Sequence, residues 1–175
     1  MVDAAPLIVT AMLGSGDQRR FDALRAAHFP PERNYLAAHL TLFHHLPPAR
    51  LDELLRLLKQ LASAPAPAAR VSEVYALGRG VAFRIEAPGL VDCRDRVAEW
   101  FAADLTPQDR TKARLHITVQ NKVDPAEARA LLAELTRDFQ PAPLAITGFA
   151  IYYYRGGPWD LVAQIPFRGE ASGRY

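Results

Sequence analysis

His39 and Thr41 stand two residues apart, and His116 and Thr118 repeat that spacing 77 residues later. Read as β-strands, both segments place the imidazole and the hydroxyl on one face, about 7 Å apart along the strand. The intervening and following residues, Leu40 and Leu42 in one case and Ile117 and Val119 in the other, point to the opposite face, where a core takes them. With seven Thr and five His in 175 residues, two such pairs arise by accident in on the order of a few per cent of chains. Two imidazoles facing one bound group can divide acid–base work: a neutral ring accepts a proton from water, and a protonated ring gives one to a departing oxygen. Two Thr hydroxyls and an imidazolium suit an anion, and phosphate offers enough oxygens to engage them all. The chemistry that fits is hydrolysis of a phosphodiester, or its reversal.

Other chemistries find less support. Neither motif carries a carboxylate or Cys on the histidine face, and His44 points away from His39 by strand parity, so no metal site and no cofactor are expected. The chain has no Gly-x-Ser-x-Gly elbow, no P-loop and no dinucleotide fingerprint. Cys93, the only cysteine, lies in an amphipathic stretch and reads as a small buried hydrophobe. Further side chains are candidates for substrate contact. Phe43 shares the parity of His39 and could stack on a base. Gln120 and Lys122 continue the face of His116. Tyr152, Tyr154 and Arg155 cluster before a Gly-Gly turn, where an arginine could clamp phosphate.

The elements that must position these residues follow from periodicity and breakers. An apolar run over 6–13 predicts a buried strand, and 17–28 an amphipathic helix stopped by Pro30-Pro31. Leucines at 51, 54, 55, 57, 58 and 61 predict a second helix with a broad apolar face. Strands are expected over 69–77 and 81–86, a helix over 90–105, and a polar loop over 106–113. Asp124 and Pro125 read as the cap and first residue of a helix reaching about 139. Strands over 144–154 and 161–167, joined by a hairpin-like turn, end the regular structure, and 168–175 reads as a frayed tail. Strand, helix, motif strand, helix, strand thus occurs over about 6–77 and again over about 80–154. The chain reads as a single domain, residues 1–175, whose halves form two similar lobes with the motif strands facing across a cleft.

Both motifs with their flanks, His39-Leu40-Thr41-Leu42 and His116-Ile117-Thr118-Val119, resemble those of the two-histidine (2H) phosphoesterase superfamily, which includes 2′-5′ RNA ligase-like proteins and cyclic nucleotide phosphodiesterases. The resemblance covers about residues 6–167. It implies an α+β fold of two pseudo-symmetric lobes, antiparallel sheets with outer helices around a central cleft. It also implies metal-independent chemistry on 2′,3′-cyclic phosphates or 2′-5′ linkages. By the family pattern His39 and His116 are the acid–base pair, and Thr41 and Thr118 hold the phosphate. A non-catalytic nucleotide- or RNA-binding module on the same fold is the alternative. A net charge of +2 without a basic stripe favours a nucleotide or an RNA end over long duplex as partner, and no obligate protein partner is inferred. The amino terminus does not read as a signal peptide and no apolar run spans a bilayer, so a cytoplasmic location is expected.

Overall fold

A computed structural model describes residues 4–169. The apolar run Leu7–Leu13 forms strand β1, and Ser15–His28 forms helix α1, which buries Phe21 and Arg25. Leu40–Leu46 is β2, Leu51–Leu61 is α2, Ala69–Ala76 is β3 and Val81–Glu86 is β4. Pro88–Trp100 is α3, with Pro88 in its first turn, where a missing N–H costs nothing. His116–Gln120 is β5 and Pro125–Arg137 is a further long helix. Between α3 and β5 the expected polar loop contains one short helix, α4 (Pro107–Arg110), capped by the Thr106 hydroxyl; the long helix is therefore α5. Asp124 precedes α5 without capping it through its side chain, and its carboxylate lies 3.7 Å from Arg79 instead.

The strand expected over 144–154 is two strands in two sheets. Ala142–Leu144 is β6 and pairs with β3, whereas Ile146–Tyr153 is β7 and pairs with β1; Asp160–Pro166 is β8. All pairings are antiparallel, in two four-stranded sheets of order β2-β1-β7-β8 and β5-β4-β3-β6. The bilobal α+β expectation holds. The division of the chain into halves does not coincide with the sheets, because each half gives its last strand away: β3 crosses to pair with β4, and β7 returns to pair with β1. The helices cross as well. α1 packs on β5 and sets Phe21 edge-on to Phe83 of β4 at 5.3 Å, while α3 packs beside α2 and reaches β2 through Arg94. A single apolar cluster runs through both layers, from Leu7, Val9 and Phe149 to Phe83, Ile117 and Val119.

Part of the expected tail is also fixed: the amides of Arg168 and Gly169 donate to the carbonyls of Ala62 and Ala64. Residues 170–175 of that tail lie outside the described residues. Among the described residues no helix is long and apolar enough to cross a membrane.

Both motif strands carry a bulge at the same place. In β2 the register to β1 slips between Thr41, opposite Thr10, and Phe43, opposite Val9. In β5 the register to β4 slips between Thr118, opposite Ala82, and Gln120, opposite Val81. An extra residue reverses the parity of the positions after it. Position 43 is therefore turned to the core beside Val9, and position 120 to the core beside Val81. The turn before β4 is fitted to this bulge, since a Cβ on Gly80 would stand 1.9 Å from the Gln120 carbonyl oxygen.

Candidate active site

The two motif histidines are held in the same way. His39 Nδ1 lies 2.8 Å from the carbonyl oxygen of Ala37, and His116 Nδ1 lies 2.8 Å from that of Arg114. A carbonyl can only accept, so in both rings Nδ1 carries the proton and Nε2 is left for chemistry. The residue two before each histidine, at the entry to each motif strand, thus sets its tautomer and its orientation. The charge of His116 disfavours protonation of His39, which places the two rings within electrostatic reach. His39, just ahead of β2, and Thr118 of β5 line one small cavity of about 230 Å³ together with Arg25 and Lys122.

The surroundings of the two rings differ. His39 packs against the indole of Trp159 with centroids 4.6 Å apart, and Tyr152 backs that indole at 5.5 Å. Burial lowers His39 from 6.5 to about 4, against the opposing effect of its bond to Ala37. A cleft of about 470 Å³ opens beside it, walled by Trp159, Tyr152 and Tyr35, with Gln18 and Gln164 among its polar groups. His116 meets Tyr75 edge-on at 6.4 Å, and the Arg84 guanidinium lies 4.5 Å over that ring while bonding Glu73 at 2.8 Å. Beneath the cleft, Arg25 of α1 donates to the Thr118 carbonyl and Arg94 of α3 to the Leu42 carbonyl. Each motif strand is therefore tied by a buried guanidinium to a helix from the other half of the chain. Arg25 is pulled below its ordinary value by burial, with Asp22 acting in the other direction.

A family model of the 2′-5′ RNA ligase superfamily matches residues 14–158, a span that includes both His-x-Thr motifs. The chain belongs to that superfamily. The resemblance to two-histidine phosphoesterases carried by the motifs is thereby borne out. Solved structures agree at the level of fold. TT0787 of Thermus thermophilus superposes with a TM-score of 0.60 at 18% identity, covering 95% of this chain and 100% of its own. E. coli LigT complexed with 3′-AMP gives 0.61 at 19% identity, with 94% and 99% covered. A crystal structure described as a phosphoesterase gives 0.53 at 19%, with 93% and 98% covered. No curated protein sequence matches the chain.

Within this superfamily member, the remaining expected contacts are distributed unevenly. Thr41 and Thr118 are half-buried on the histidine faces. Phe43 is fully buried, with Arg94 4.8 Å above its ring, so the bulge removes it from the cleft. Gln120 is likewise only 2% exposed, and its Oε1 has no partner among the described residues. Lys122 adopts φ 58° just after β5 and lines the small cavity with His39. Tyr152 lines the aromatic cleft, whereas Tyr154 lies exposed at the end of β7. Arg155 is engaged by Asp160 at 2.6 Å and by the Tyr153 ring, within the β7–β8 turn. Sequence reasoning missed Trp159, Tyr35, Tyr75 and Arg84. The last was within reach, since strict alternation in 81–86 puts Arg84 on the polar face of β4; Trp159 sits past a Gly-Gly-Pro turn that carries no periodicity. Among the described residues no group of three or more His, Cys, Asp and Glu is placed to hold a metal ion.

Proposed function

We propose that this protein is a phosphoesterase that hydrolyses 2′,3′-cyclic phosphate or 2′-5′ phosphodiester bonds of nucleotides or RNA ends. The observation that carries this reading is the matched anchoring of His39 and His116 through Nδ1, which turns two Nε2 atoms to chemistry. His39, neutral in the free protein because burial keeps it near 4, takes a proton from the attacking water. The water oxygen bonds to phosphorus, the bond to a ribose oxygen breaks, and His116 Nε2 delivers a proton to that oxygen. The hydroxyls of Thr41 and Thr118 donate to the non-bridging oxygens, and Arg25 adds positive charge below the anion. Acid, base and anion donors are all side chains, so the step as written uses no metal. The cleft beside Trp159 and Tyr152 is sized and walled for one nucleoside. The 3′-AMP and ATP complexes of E. coli LigT support a nucleotide ligand for this fold.

The test is hydrolysis of the four nucleoside 2′,3′-cyclic phosphates in EDTA by the wild type, His39→Ala and His116→Ala. Turnover that survives EDTA and falls by about two to four orders of magnitude in each variant is the expected result. Normal turnover in either folded variant would remove that histidine from the mechanism, and no turnover in the wild type would leave a binding role.

A further inference from the structure

Strand β2 ends its sheet, so it has a strand neighbour on one side only, and its pairing with that neighbour slips twice. The first slip makes Leu42 the extra residue between Thr41 and Phe43. The second lies between Phe43, opposite Val9, and Leu46, opposite Leu7, where three steps of β2 span two of β1. An extra residue leaves its backbone groups out of the ladder, and a slide by one residue turns a strand's side chains to the other face. Pairing with β1 alone therefore defines the register of β2 weakly. Thr41 stands next to the first slip, so the face its hydroxyl meets depends on where that slip is held.

Both slips are pinned from the open side by one hook, made of α3 and α4. Arg94 Nε donates to the Leu42 carbonyl at 2.9 Å, and its guanidinium lies 4.8 Å over the ring of Phe43, which the first slip turns inward. Asp109 accepts the amides of His44 and His45, each at 2.9 Å, across the second slip. Arg94 Nη2 donates to the carbonyl of Asp109 at 2.9 Å, so the two anchors are joined to each other. Arg94 is 7% exposed and Asp109 1%. Beyond α4 the chain runs on to Arg114, whose carbonyl orients His116. The hook thus spans from Leu42 to the segment entering the other motif strand. β5 carries a counterpart. Arg25 donates to the Thr118 carbonyl at 3.0 Å, where the slip of β5 begins, and to Asn34 Oδ1 at 3.2 Å, in the segment entering β2.

We propose that Arg94 is a positioning residue of the reaction: by holding the Leu42 and Asp109 carbonyls together it fixes the register of β2 and so places the Thr41 hydroxyl against the phosphate. The assignment rests on the phosphoesterase reading above and adds to it a residue that lines neither the aromatic cleft nor the small cavity at His39. A guanidinium suits the task, because its donors are rigidly spaced and it keeps its charge, so it grips two acceptors from one buried place. The ammonium of a lysine is a point donor and holds one of the two carbonyls. The Thr41 hydroxyl stabilises charge on a non-bridging oxygen as water bonds to phosphorus, so a displaced hydroxyl slows that step. His39 lies ahead of both slips and keeps its own anchor on the Ala37 carbonyl. The loss of Arg94 therefore falls on Thr41 rather than on the proton transfer to His39.

A double-mutant cycle tests this, with adenosine 2′,3′-cyclic phosphate as substrate and the wild type, Arg94→Lys, Thr41→Val and the double variant as enzymes. Arg94→Lys is expected to lower kcat/KM by about tenfold or more in the wild-type background. In the Thr41→Val background the same change should lower it by less than about twofold, since the group that Arg94 places is gone. An equal loss in both backgrounds makes Arg94 a stabilising residue only, and no loss in either leaves Thr41 placed without it; each result overturns the assignment. The Nε–H resonance of Arg94 gives a second readout that needs no change at Arg94. On addition of inorganic phosphate it should shift in the wild type and stay still in Thr41→Val. A still resonance in the wild type, or an equal shift in both proteins, overturns the assignment even where Arg94→Lys does not fold. A wild type that does not turn over the cyclic nucleotide removes the phosphoesterase reading and this assignment with it, whereas an equal loss in an active enzyme removes this assignment alone.

Discussion

At the scale of single residues, the burial of His39 sets both a rate profile and a stability profile. Burial lowers the ring to about 4, and the nearest cover is the Trp159 indole at 4.6 Å. A base that must be neutral loses activity as pH falls through its pKa, so the acid limb of kcat/KM is expected near pH 4 in the wild type. Trp159→Ala lets water reach the ring, and the limb should move up toward 6.5. A limb that stays in place would show that the indole does not control the titration. The same shift acts on folding. The unfolded chain, with His39 at its ordinary 6.5, binds more protons than the folded one between about pH 6.5 and 4. Stability therefore falls as pH is lowered across that window, by up to about 3 kcal/mol for this residue. Urea denaturation at pH 7 and pH 4.5 should show a smaller acid loss in His39→Gln than in the wild type.

At the scale of elements, the alternation that makes a strand was legible, and what interrupts it was not. Thr41 and Thr118 fall on the predicted faces because each is only two residues from its histidine. Phe43 and Gln120 fall on the wrong faces because a bulge depends on the partner strand, and no pattern within β2 or β5 announces it. The short helix α4 was hidden for a similar reason, since its purpose is tertiary. Its Asp109 is 1% exposed and accepts the amides of His44 and His45 and the His44 ring at 3.1 Å. Burial raises this carboxyl, but the hydrogen bonds from His44 and His45 outweigh it and hold the group below its ordinary value. A lowered folded pKa means that the stabilisation is present above the ordinary carboxylate range and is lost as pH falls through the lowered value. Asp109→Ala strands two β2 amides in a buried place, and a loss of about 2–4 kcal/mol is expected from urea denaturation at pH 7. A change below about 0.5 kcal/mol would mean that water replaces the carboxylate there.

At the scale of the molecule, the repeat in the chain predicts two lobes, while the sheets show that neither half owns one. β3 leaves the first half to join β4, β7 leaves the second half to join β1, and α1 lies over β5. These exchanges depend on pairings far apart in sequence, which period and composition do not encode. They have a consequence for folding. Fragment 1–78, cut in the turn before β4, keeps β1 and β2 without β7 and holds β3 with no strand to pair it. Fragment 79–175 keeps β4 and β5 without β3 and leaves β7 with only β8. In each, an apolar strand edge and a helix face are left without cover, and the continuous core is cut through its middle. Neither fragment alone should show a cooperative thermal transition. Mixed in equal amounts they should regain the circular dichroism of the intact chain, because each supplies the strand the other lacks. A cooperative transition in either isolated fragment would mean that a half of the chain folds on its own, and that the exchanged strands are an addition to two autonomous lobes rather than the joint between them.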